Sequence, residues 1–233
     1  MCMIKLCVFD MDGLLVDTER QMYLKTGLEV SQEIGHPVSA EFLCSLMGGS
    51  WDVYLNRFKE IYGEDYPTET YWEKYDERIR YIVENEAIPL RPGVDKILDY
   101  CEEKGIRMAI ATSTRQEMTD KVLANTGLAD RFDYVVTASM VKNHKPHPDL
   151  FLNAIGHFNI PIEEAIVFED GHNGAQAAIN GHCRYILVQD LARLTEEDKD
   201  KAIMVTDDIS KAIPYIEAEN ERTAGIQAEA AEA

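Results

Sequence analysis

Ile4-Lys-Leu-Cys-Val-Phe-Asp10-Met-Asp12-Gly13 is the stretch from which the rest of the chain can be read. A short apolar run ends abruptly in acids, the pattern of a parallel strand buried on both faces. Side chains two apart on an extended chain point the same way, so both carboxylates can face one site beyond the strand end. Two carboxylates that close need something positive between them, most simply a hard divalent ion bound by oxygen. Gly13 lets the backbone turn sharply just after them. Taken alone, the stretch is equally a turn with two solvated acids.

Further short runs repeat the strand pattern at Arg107 to Ala111, Asp133 to Thr137, Ala165 to Phe168, Tyr185 to Val188 and Ala202 to Val205. Helical stripes lie between them. Val94, Ile97, Leu98 and Cys101 form one, opened by Pro92 and closed by Gly105; Met118, Val122 and Leu123 form another that ends near Gly127. The alternation predicts an α/β fold built on an open parallel sheet, with its strand carboxyl ends along one edge. The stretch from Asp17 to Pro89 is far longer than one crossover needs and holds helical stripes, the clearest being Tyr71, Trp72, Tyr75, Ile79, Ile82 and Val83. The expected division is a catalytic core over 1–16 and 90–216, a helical insert over 17–89 and an acidic, Ala-rich tail over 217–233, frayed or disordered. Glu86 to Pro92, with two prolines, reads as the returning linker.

The chain has 233 residues, 45% of them hydrophobic, so it can bury a sizeable core. Its 23 Lys and Arg face 42 Asp and Glu, a formal charge of −19 that repels nucleic acid and anionic lipid. No apolar run is long enough to span a bilayer. The five cysteines are scattered without a Cys-x-x-Cys pair, which argues against a disulfide framework or a thiolate zinc site. The first residues run straight into a strand and lack the layout of a signal peptide. A soluble, cytoplasmic monomer is expected, without nucleic-acid or membrane partners.

A second acidic pair decides the chemistry. The run Ala165-Ile-Val-Phe168 also ends in acids, Glu169-Asp170, followed by Gly171. Two strands of one sheet with paired acids on the same edge would converge their charge, at a cost of several kcal/mol unless a cation intervenes. Thr112-Ser113-Thr114-Arg115 closes another strand and opens a helix, where hydroxyls and backbone N–H groups favour an anion such as phosphate. The same residues can be an ordinary N-cap, and Arg115 either holds a further anionic group or is a surface Arg. Lys145, in His144-Lys145-Pro146-His147-Pro148-Asp149, precedes a helix near the same edge and can offset a transferring phosphoryl group. His144, His147 and nearby His172 lack the spacing of a zinc site.

Together, Asp10-Met-Asp12-Gly13-Leu-Leu-Val-Asp17-Thr18-Glu19, Thr112-Ser113-Thr114, Lys145-Pro146-x-Pro148-Asp149 and Glu169-Asp170 resemble the haloacid dehalogenase superfamily. The helical insert resembles the cap of its β-phosphoglucomutase-like branch. The resemblance implies a Rossmann-like core, Mg²⁺ as cofactor and phosphoryl transfer. By the same resemblance Asp10 is the nucleophile that forms an aspartyl-phosphate, and Asp12 protonates the leaving oxygen and then activates water. Thr112, the Ser113 backbone and Lys145 bind the transferring group; Asp10, the main-chain carbonyl of Asp12, Glu169 and Asp170 hold the metal. A cis Lys145–Pro146 bond is also implied. Superfamily dehalogenases lack an acid at the place of Asp12, so its presence points to phosphoester chemistry.

Departures bear on the substrate. β-Phosphoglucomutases carry a His where this chain has Met22, and an Arg expected near Gly48-Gly49-Ser50-Trp51-Asp52 is missing. That turn is the expected specificity loop, with Gly49 and Trp51 as candidate substrate contacts; Trp51 reads equally as a hydrophobic anchor. Many relatives have Ser where this chain has Gly171. The aromatic residues of 71 to 83 read as the core of the insert, and Cys7 and Cys101 as small core residues. The expected function is Mg²⁺-dependent hydrolysis of a small phosphorylated metabolite, a sugar or polyol phosphate. The alternatives are a phosphosugar mutase and a non-catalytic binding or regulatory protein on the same fold.

Overall fold

The computed structural model describes residues 3–47 and 51–232, with side chains for 3–47 and 54–226. Along the chain, β1 (Leu6–Phe9) leads into a π-helical turn (Glu19–Leu24) and four helices: α1 (Lys25–Glu33), α2 (Ala40–Leu46), α3 (Trp51–Tyr62) and α4 (Thr68–Asn85). Then follow α5 (Val94–Lys104), β2 (Arg107–Ala111), α6 (Gln116–Thr126), β3 (Tyr134–Val136), α7 (Asp149–His157), β4 (Ala165–Glu169), α8 (His172–Asn180), β5 (Arg184–Val188), α9 (Glu196–Lys201), β6 (Met204–Thr206) and α10 (Ile213–Glu232).

The strands form one parallel sheet in the order β3-β2-β1-β4-β5-β6. All four residues of β1 are fully buried, because the sheet is covered on both faces. Cys7 and Phe9 join the cluster beneath α5, α6 and α10, whereas Leu6 and Val8 join the one beneath α7 and α8. This is a three-layer α/β sandwich of Rossmann-like order. The chain leaves β1 toward β2 on one side and returns to β4 on the other, so a crevice opens beyond the carboxyl ends of β1 and β4.

Helices α1 to α4 carry their own cluster around Phe42, Phe58 and Tyr71. The stripe on α4 is divided, however. Tyr71 packs there, but Ile79, Ile82 and Val83 belong to the cluster of the α/β body. Asn125 of α6 fixes that junction, donating to the carbonyls of Val83 (3.0 Å) and Glu86 (2.8 Å). Two extended segments join the layers: Val16 bridges Leu90, and the Asp17 N–H donates to the Pro89 carbonyl at 2.9 Å. From Glu217 the chain continues as helix to Glu232. Ala and Glu are good helix formers, and the first turns are tied down by Arg184 to Glu219 and by Asn220 to the backbone of Ile4. Among the described residues no helix is long and apolar enough to cross a membrane.

Candidate active site

Strand register builds the centre of the site. Phe9 lies opposite Phe168, so the next residues, Asp10 and Glu169, come side by side at the strand ends. The Asp10 N–H donates to the Phe168 carbonyl at 3.0 Å. Lys145 enters from the loop before α7, immediately ahead of a cis Lys145–Pro146 bond, and its ammonium sits 4.8 Å from the centre of the Phe151 ring. It donates to Asp10 Oδ1 and, at 2.6 Å, to Glu169 Oε1. Glu169 Oε2 accepts the N–H groups of Asp170 (2.9 Å) and Gly171 (3.0 Å). Burial of Asp10 pushes its carboxyl up to about 7; Glu169 and Asp12 push the same way, against the pull of Lys145. Burial works against the Lys145 ammonium, but Asp10 and Glu169 outweigh it and hold the proton more firmly than usual.

The acids suit a divalent cation. Carboxylate oxygens of Asp10, Glu169 and Asp170 lie within 4.8 Å of one another. Asp170 is 3% exposed, and its Oδ2 is buried with no hydrogen-bond partner. Burial raises its pKa well above the usual range, with Glu19, Glu169 and Asp10 adding to the rise. An all-oxygen, acid-rich group with one orphaned carboxylate oxygen fits a hard ion such as Mg²⁺ or Ca²⁺ and not a thiolate-seeking metal. Two glycines make room. A Cβ at Gly13 (φ 79°) would stand 2.3 Å from Asp170 Oδ2, and one at Gly174 would stand 1.7 Å from Glu169 Oε1.

Asp12 contributes no carboxylate to that group. Its Oδ2 accepts from Thr114 Oγ1 at 2.6 Å and from Thr112 Oγ1 at 3.5 Å. Its Oδ1 accepts from Thr18 Oγ1 at 2.9 Å and from Tyr23 OH at 3.3 Å. Hydroxyls from the sheet edge and from the first turn of the insert thus aim one acid. A cavity of about 600 Å³ opens over these groups, and Thr112, Ser113, Arg115, Lys145, Glu169 and Asp170 all line it. Helix α6 starts one residue after Arg115, later than the sequence implied, so 112–115 form the turn between strand and helix.

The expected contacts Gly49 and Trp51 are not among the residues whose side chains the structure describes; Gly49 itself lies outside the described residues. Met22 is 1% exposed and packs in the body of the protein. Aromatic residues of α4 are not core alone: Tyr71, Trp72 and Tyr75 also line the cavity. The histidines build no metal group among the described residues; His172 pairs instead with Asp198 at 2.7 Å.

Two participants escaped the sequence reading. Glu19 lines the cavity, is 7% exposed and keeps Oε2 without a partner. Its pKa rises to about 8 through burial, then through Asp190, Asp12, Asp10 and Glu169. Its place at the end of the Asp10-to-Glu19 motif, two residues after Asp17, was the available signal. Asp190, beyond β5, accepts from Arg20 of the insert (2.5 Å) and from Arg91 of the linker (3.1 Å). Nothing local in the sequence announces that triad.

Residues 7–188 match the family model of haloacid dehalogenase-like hydrolases. A phosphorylated carbohydrates phosphatase of Thermotoga maritima is 31% identical over 73% of this chain and 78% of its own length. A probable pseudouridine-5′-phosphatase of Drosophila melanogaster is 33% identical over 85% of this chain and 87% of its own. The crystal structure of a putative β-phosphoglucomutase from Thermotoga maritima superposes with a TM-score of 0.75 at 25% identity, covering 92% of this chain and 99% of that one. Buried acids at the ends of β1 and β4, a lysine between them and a match over most of the sheet lead to one assignment: the chain belongs to the haloacid dehalogenase-like hydrolases.

Proposed function

We propose that the protein hydrolyses a small phosphomonoester, a sugar or polyol phosphate, through an aspartyl-phosphate on Asp10, with Mg²⁺ held by Asp10, Glu169, Asp170 and the main-chain carbonyl of Asp12. The reading is carried by the buried Asp10–Lys145–Glu169 array opening onto a cavity of about 600 Å³. The named activities of the relatives, on phosphorylated carbohydrates and pseudouridine 5′-phosphate, support it. Residues 17–89 would act as the cap.

Asp10 would attack phosphorus while Lys145 holds its carboxylate and neutralises charge on the transferring group. Thr112 and the Ser113 backbone would bind phosphoryl oxygens. Asp12, aimed by Thr114, Thr18 and Tyr23, would hand a proton to the departing alcohol and then take one from the water that cleaves the acyl phosphate. Bound Mg²⁺ would supply charge neutralisation at the phosphoryl oxygens. Burial of Met22 in the body, where a mutase would present a His to substrate, weighs against the mutase alternative. The test is phosphate release from a panel of sugar phosphates with MgCl₂. The wild type should release phosphate and Asp10→Asn should not; equal rates would remove the nucleophile assignment.

A further inference from the structure

Two buried carboxyl groups, one from the sheet edge and one from the insert, border a single small gap. Asp170 Oδ2 and Glu19 Oε2 are both buried without a hydrogen-bond partner. Asp170 is 3% exposed and Glu19 7%, and both line the cavity. Gly13 leaves the gap: a Cβ there would stand 2.3 Å from Asp170 Oδ2 and 3.0 Å from the carboxyl carbon of Glu19. Of the charges that act on Asp170, that of Glu19 is the largest, ahead of Glu169 and Asp10.

The neighbouring cations and hydroxyls are committed to other acids. Lys145 is shared by Asp10 and Glu169, and Arg20 and Arg91 are taken by Asp190. Arg115 and His144 line the same cavity, but the charges that bear most on Glu19 are those of other acids, Asp190, Asp12, Asp10 and Glu169. The Tyr23 hydroxyl donates to Asp12. Carboxylates buried side by side without a counter-charge are costly, so this pair is built for a positive partner.

Glu19 is not one of the three acids whose oxygens lie within 4.8 Å of one another, so it stands one layer outside the direct ligands. Mg²⁺ keeps part of its water shell when protein carboxylates bind it, and groups that hold that outer shell tune its affinity. Resting on the metal reading above, we infer that Glu19 is the insert's contribution to the cation site: its carboxylate accepts from water on an ion held by Asp170, and so couples cation binding to the docking of the insert on the sheet edge. Glu19 is thus a positioning residue. Its neighbour Arg20 ties the same turn to Asp190 without any metal; the tie through Glu19 forms only with the ion.

Calorimetry of the full chain with MgCl₂ and no substrate gives the first test. Glu19→Gln keeps the shape and removes the charge, and should weaken Mg²⁺ binding by about tenfold or more, the scale of losing an outer-shell partner. Hydrogen exchange gives the second: saturating Mg²⁺ should slow the backbone amides of residues 19–33 several-fold in the wild type, and should not in Glu19→Gln saturated with Mg²⁺. If Glu19→Gln does not fold, the wild-type exchange decides. Wild-type Mg²⁺ affinity in Glu19→Gln, or wild-type exchange over 19–33 indifferent to Mg²⁺, would overturn the inference and leave the metal reading standing. A Glu19→Gln effect confined to KM would do the same, making Glu19 a substrate contact. Absence of Mg²⁺ binding to the wild type, or binding unchanged in Asp170→Asn, would remove both.

Discussion

Phe9 and Phe168 are register partners in neighbouring strands, with rings stacked 4.9 Å apart. Their pairing puts Asp10 and Glu169 shoulder to shoulder, and Lys145 is the cation that separates them. Each acid alone is an ordinary strand end; their adjacency makes the chemistry.

Lys145→Ala should lower kcat by about 10²- to 10³-fold, the usual loss when a preorganised donor to a developing charge is removed. Steady-state phosphate release measures it. A loss confined to KM would mean that Lys145 contributes binding alone.

Stability should depend on pH in a direction set by the buried acids. Asp10 moves from 3.8 to about 7 and Glu19 from 4.5 to about 8, so the folded state holds these protons more tightly than the unfolded chain. That contribution is complete at pH values below the unfolded pKa and is lost as pH rises through about 7 to 8. In EDTA the Tm should fall across this window, and Mg²⁺ should raise Tm more at about pH 8 than at about pH 5. Thermal unfolding followed by circular dichroism decides, and a larger Mg²⁺ effect at the acid end would contradict the cluster.

Gly174→Ala should damage the site by steric means alone. Its backbone is helical and accepts alanine, but the new Cβ would stand 1.7 Å from Glu169 Oε1 and drive that carboxylate from its Lys145 and backbone partners. The expected cost is about 1–3 kcal/mol of stability with weakened Mg²⁺ binding by calorimetry. Wild-type metal affinity would count against Glu169 as a member of the metal group.

The Asp190 triad should respond unequally to its two arginines. Arg91 is 8% exposed and Arg20 42% exposed on their side chains. Asp190→Ala leaves Arg91 buried without its counter-charge, expected to cost about 3–5 kcal/mol. Arg20→Ala removes a half-exposed partner and should cost about 1 kcal/mol or less. Denaturant midpoints at constant m measure both, and equal costs would show that the buried arginine does not depend on Asp190.

The alternation of strands and helices, the long insert and both acid pairs were legible in the sequence. Strand burial and helix capping leave local marks: four apolar residues before Asp10, and left-handed glycines at 105 and 127 closing α5 and α6. The division of the α4 stripe was not legible, because a helical period says which face is apolar and not which partner covers it. The same holds for the tail, where an Ala- and Glu-rich segment reads alike whether solvated or docked until Arg184 and Ile4 are brought against it.

By itself the sequence determined the chemical inventory: which strand ends carry acids, and that a lysine follows the third strand. Only the tertiary structure decided which groups meet. Lys145 stands between Asp10 and Glu169, Glu19 turns inward, and Asp190 gathers two arginines, over sequence separations at which local periodicity carries no information. Register across the sheet and packing of the insert against it set those distances, and buried charge, whose energy depends steeply on distance and desolvation, turns them into a site.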